Sequence, residues 1–92
     1  MLKFSVAPGG ASYEVSGSTD DKQVVIPETN LGKPVKWIRE NAFNGNKSIE
    51  SVVVGENVFV IGAYAFLNCH YLKSITLPKG LKMIRKDAFA NC

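Results

Sequence analysis

The 92-residue chain is poor in the residues that most chemistry needs: it holds one histidine (His70), one tryptophan (Trp37) and two cysteines (Cys69 and Cys92). A closed zinc site takes four ligands, usually brought in as closely spaced pairs. No CxxC pair exists and His70 has no second histidine at ligand spacing, which argues against a metal. Long apolar runs are missing too. Val52-Val53-Val54 and Val58-Phe59-Val60-Ile61 fall far below the roughly 18 residues of a membrane helix, so no bilayer insertion is expected. The opening Met1-Leu2-Lys3-Phe4-Ser5-Val6 runs into Pro8-Gly9-Gly10 without a long apolar core or a small-residue cleavage site, so no secretory signal is expected within this stretch. There is no Gly-rich phosphate loop and no nucleophile–base pairing, and therefore neither catalysis nor a cofactor is expected. What is present is ordinary globular composition, with 46% hydrophobic and 21% charged residues in 10.0 kDa. That is enough for one small domain and no more.

The net charge of +3 is unevenly spread. Residues 1–57 carry six basic and seven acidic side chains, whereas residues 58–92 set Lys73, Lys79, Lys82, Arg85 and Lys86 against Asp87 alone. A basic half can meet polyanions, but nucleic-acid modules cluster Lys and Arg with stacking aromatics in a recognisable motif, and none is found; no nucleic-acid partner is expected.

Order enters through repetition. Ala42-Phe43, Ala65-Phe66 and Ala88-Phe89 recur every 23 residues, and units written as 35–57, 58–80 and 81–92 bring the apolar positions into columns. The columns are Val35/Val58/Leu81, Ile38/Ile61/Ile84, Phe43/Phe66/Phe89, Asn46/Cys69/Cys92, Ile49/Leu72, Val52/Ile75 and Val54/Leu77. Such a chain reads as a solenoid whose coils bury their apolar sides only against one another. Ile49 to Val54 and Leu72 to Leu77 alternate as strands of a parallel sheet. The Phe column predicts an aromatic ladder. The Ala-Phe segments read as single helical or 3₁₀ turns on the opposite side, with Asn41 and Asp87 as their caps.

With these columns in view, residues 35–92 resemble the BspA-like leucine-rich repeats, a 23-residue class with the approximate pattern L-x-x-I-x-L-P-x-x-L-x-x-I-G-x-x-A-F-x-x-C. Leu72, Ile75, Leu77-Pro78, Leu81, Ile84, Ala88-Phe89 and Cys92 occupy its fixed positions, and Ile61-Gly62, Ala65-Phe66 and Cys69 its second half. Asn46 in the Cys column, Gly55 opposite Pro78, and Arg39 and Arg85 opposite Gly62 depart from it. Residues 1–34 look like the N-terminal cap of such a protein. Leu2–Val6 and Ser12–Ser16 form a hairpin around Pro8-Gly9-Gly10, residues 17–21 a turn, and Val24-Val25-Ile26-Pro27 the first solenoid strand. The segment from Pro27 to Val35 is five residues longer than that from Pro78 to Leu81 and is expected to bulge. The chain stops at Cys92, halfway through its third unit, which implies a piece of a longer array and an open edge able to self-associate.

Single residues carry two readings each. Cys69 and Cys92 share a column, where stacked positions point in parallel, so reduced thiols packed as small apolar groups are favoured over a disulfide. Asn46-Lys47-Ser48 is a glycosylation sequon, but an inward amide is inaccessible. His70, Trp37 and Tyr71 read as surface or flank positions unless an interface uses them. Lys36, Lys82, Arg39 and Arg85 read as a solvated convex face. The outward strand positions Glu50, Ser51, Val53, Lys73, Ser74 and Thr76 are the expected contact residues, because solenoids bind through their extended sheet.

The resemblance implies a non-catalytic protein-binding or adhesion module of a larger cell-surface or secreted protein of a bacterium or a parasitic protist, with a protein on a host or neighbouring cell as partner. The alternative is a structural cap or spacer that displays other domains.

Overall fold

Val24, Ile26, Val52 and Val54 are buried while Val25 and Val53 face solvent. That alternation places β-branched side chains on both sides of extended backbone and makes strands of these segments. The computed structural model describes residues 1–18 and 20–92. Nine strands follow in order: β1 (Leu2–Val6), β2 (Tyr13–Ser18), β3 (Gln23–Ile26), β4 (Thr29–Asn30), β5 (Lys33–Ile38), β6 (Ser51–Val54), β7 (Val60–Ile61), β8 (Ser74–Thr76) and β9 (Met83–Ile84). The turn expected over 17–21 is entered by the end of β2, and Thr19 at its centre lies outside the described residues.

The expected parallel sheet is β3-β6-β8, in register Val24↔Val52↔Ile75. A second sheet, absent from the sequence reading, runs β1-β2-β5-β7-β9 along another side of the coil. Its parallel rungs are Val15↔Ile38, Ile38↔Ile61 and Ile61↔Ile84. The hairpin is therefore built into the stack. β1 pairs antiparallel with β2, and β2 stands where a preceding coil would stand, its Val15 carbonyl accepting from the Arg39 N–H at 2.9 Å as the Ile38 carbonyl accepts from Gly62 at 2.8 Å. The longer segment after Pro27 folds back as the β4–β5 hairpin, turned by Leu31 and Gly32 at φ 50° and 80°, the positive pair that a tight two-residue turn demands.

On the third side no helix occurs among the described residues, so the expected helical or 3₁₀ turns are not found as such. The N–H groups of Ala42, Asn44 and Asn46 close turns onto the carbonyls three residues back, but those of Asn41, Phe43 and Gly45 donate to Ala63, Ala65 and Leu67 of the next coil at 2.7–3.0 Å. The next coil repeats this, Tyr64, Phe66 and Asn68 donating to Lys86, Ala88 and Ala90. A helix needs every N–H directed along its own axis; here alternate donors serve the neighbour. Left-handed φ values at Asn41, Tyr64 and Asp87, and again at Gly45, Asn68 and Asn91, turn them outward. Asn41 and Asp87 are thus not helix caps; Asn and Asp stand there because they tolerate positive φ.

Between the three sides lies the core. Phe43, Phe66 and Phe89 stack with centroids 4.9 and 5.3 Å apart and planes within 10° and 3° of parallel. Val35, Ile38, Ile49, Val58, Ile61 and Cys69 fill the space around them, fully buried.

Candidate functional site

The register of the β3-β6-β8 sheet decides where the expected contact residues stand. Ser51 and Ser74 form one outward row and Val53 and Thr76 a second. Glu50 and Lys73 precede them and form an ion pair at 3.7 Å, with Lys73 more exposed than Glu50. The same register adds Gln23 to the first row and Val25 to the second, two residues that the sequence reading left out. The match of Val24-Val25-Ile26 to Ile75-Thr76-Leu77 was the signal that could have found them. Val25 is 64% and Val53 45% exposed, so two rungs of the second row are apolar and the third, Thr76, is polar. A shallow hollow of about 250 Å³ opens at the end of the face beside Pro27, Glu28, Gly55 and Glu56.

On the turn side, the Cys69 thiol donates to the Phe43 carbonyl at 3.0 Å and the Cys92 thiol to the Phe66 carbonyl at 3.1 Å. Both cysteines are free. Burial pushes the Cys69 thiol up to about 11, partly offset by the Asn46 backbone N–H and reinforced by nearby Cys92. Such a thiol is a poor nucleophile at neutral pH. Asn46, in the same column, uses its side-chain oxygen within its own coil, accepting from the N–H groups of Ser48 and Ile49 at 2.8 and 3.0 Å. His70 and Tyr71 are exposed beside Lys47 and Asn68. No group of three His, Cys, Asp or Glu side chains able to hold a metal occurs among the described residues. No helix among them is long and apolar enough to cross a membrane.

The second sheet carries the other concentration of functional groups. Trp37 is half-buried, packed edge-on against Phe59 at 5.8 Å, with the Arg85 guanidinium 5.8 Å above its ring. Arg39 approaches Glu14 of the hairpin at 3.5 Å. Sequence spacing placed Arg39 and Arg85 in one column but could not bring Glu14 beside them, because that contact depends on the hairpin joining the stack.

The family model described as "BspA type Leucine rich repeat region (6 copies)" matches residues 19–92. The chain belongs to this family. Among solved structures, this BspA-type repeat region is similar to a T. pallidum leucine rich repeat protein (TpLRR), with 32% identity, a TM-score of 0.94 and coverage of 99% of this chain and 43% of that one. It also shares its fold with a leucine rich cell surface protein from Faecalibacterium prausnitzii A2-165, at 24% identity and a TM-score of 0.79, covering 99% of this chain and 26% of that one. The chain thus spans less than half of either protein. No curated protein matches it.

Proposed function

We propose that this repeat region is a non-catalytic protein-binding module of a larger cell-surface or secreted protein, engaging a protein of a host or neighbouring cell. Contact runs through the outer face of β3-β6-β8, at Glu50, Ser51, Val53, Lys73, Ser74 and Thr76. The observation that carries the reading is the exposed pair Val25 and Val53, adjacent on paired strands and bordered by the polar Gln23, Ser51, Ser74 and Thr76 of the same face; apolar side chains exposed together within a polar rim mark interaction surfaces. Additional coils extend such a face and add avidity without new chemistry. The F. prausnitzii structure of the same fold is described as a cell surface protein, which fits the location.

The test uses beads coated with the chain on epithelial monolayers, comparing the natural sequence with a variant in which Val53→Lys, Lys73→Glu and Thr76→Arg are combined. Adhesion reduced about tenfold, as expected for loss of several contacts, supports the reading. Adhesion unchanged by the triple substitution, with folding intact, gives the face to a cap or spacer role.

A further inference from the structure

The outer side of the second sheet holds a groove that the reading above does not use. One hollow of about 430 Å³ is bounded by Trp37, Arg39, Arg85 and Glu40 and floored by Gly62 and Ala63. A second of about 330 Å³, bounded by Ala7, Pro8 and Ser12, adjoins it, and Trp37 and Glu14 line both. The two are parts of one groove running from the hairpin to the second coil, with the tryptophan at its waist.

The floor exists because position 62 has no side chain. A Cβ there would meet the Glu40 nitrogen at 2.5 Å and the Ile38 oxygen at 2.8 Å, so the backbone presses onto the coil below and leaves a notch between Arg39 and Arg85, which occupy the same column one coil to either side. The two guanidiniums differ in commitment. Arg39 is engaged with Glu14, whereas Arg85 has no carboxylate partner among the described residues and lies over Trp37, a position that fixes its fork without neutralising it. A carboxylate entering the notch meets an oriented, unpaired guanidinium suited to bidentate binding. Glu14 and Glu40 on the rim oppose a uniformly charged polyanion and leave room for one negative group. The Ala7–Pro8 end offers an apolar seat instead.

We propose that this groove takes a segment of a protein partner in which one acidic and one aliphatic side chain share a face of extended backbone, the carboxylate on Arg85 and the aliphatic group against Ala7 and Pro8. In extended peptide successive side chains alternate between faces, so the two groups stand an even number of residues apart to enter the groove from one side. This surface is independent of the β3-β6-β8 face.

Trp37 is the only tryptophan and reports on the groove directly. The probes are eight-residue peptides bearing one glutamate and one leucine two or four positions apart, in both orders, titrated against the chain while Trp37 fluorescence is followed. A saturable change is expected with at least one order. Arg85→Gln is expected to weaken it at least about tenfold, the loss of a charge-assisted pair, and Arg85→Lys to restore part of it. Peptides with glutamine for glutamate, or serine for leucine, bind more weakly, and Lys73→Gln changes nothing. Circular dichroism confirms that the exposed Arg85 variants fold. The proposal is overturned if neither order gives a saturable change, if binding survives Arg85→Gln, or if heparin binds as tightly with the same Arg85 dependence, which would make the groove a polyanion site.

Discussion

Neighbouring coils repeat the same apolar columns and place them in different environments. Ile61 is fully buried and Ile84 is 48% exposed; Val54 is 4% exposed and Leu77 41%. Phe66 lies between two rings, whereas Phe89 touches one. Column identity sets which way a side chain points, and the presence of a neighbour sets how much that is worth. In a stacked fold, stability is a property of interfaces between units more than of units themselves.

The largest effect should come from breaking the ladder at its centre. Phe66→Ala is expected to cost about 3–5 kcal/mol, and Phe89→Ala about 1–2, since a half-buried ring forfeits less transfer and leaves less cavity; urea midpoints of the two variants measure the difference, and equal losses would refute the comparison. Next comes the exposed apolar edge. Leu77, Met83 and Ile84 are expected to make the chain associate as concentration rises, which light scattering would reveal and Ile84→Lys would suppress. The thiols sharpen the same contrast. Cys69, fully buried and raised to about 11 from 9.0, holds its proton more tightly folded than unfolded. Its contribution to stability is therefore complete below about pH 9 and lost as pH rises towards 11. Cys69→Ala should flatten the alkaline limb of a stability–pH profile, while exposed Cys92 should react with iodoacetamide first. The smallest effect is expected on the surface: Lys73→Gln, breaking an exposed pair at 3.7 Å, should shift stability by no more than about 0.5 kcal/mol in thermal melts.

Much of this architecture was legible in the chain. The Ala-Phe period gave the coil length, Val52/Val54 and Ile75/Leu77 gave one sheet, and Pro8-Gly9-Gly10 marked the first hairpin. The second sheet was not legible because β7 and β9 are two residues each, too short for alternation to show; stacking of coils, not local propensity, draws them out. The turn side was misread for a related reason. Asn and Asp before an apolar pair signal a helix start, yet here they serve a left-handed backbone, and Tyr64 at φ 59° in the same column shows that stacking imposes the conformation even on a residue poorly suited to it. Of the surface, the outward rows of β6 and β8 could be read from spacing. The Trp37 groove could not, since it needs Glu14, Gly62 and Arg85 from three separate rungs.

The backbone hydrogen bonds that join one coil to the next on the turn side all run one way, N–H groups reaching to carbonyls of the coil that follows. The stack consequently has a polarity, like a filament with unlike ends. A coil offered upside down would set donor against donor, and a residue added or lost within the turn side would throw the rings, thiols and left-handed positions out of step, whereas the five extra residues after Pro27 fold outward as a hairpin and leave the register intact. Extra residues are thus absorbed only where a coil can bulge outward, and a further coil joins the stack only when it faces the same way.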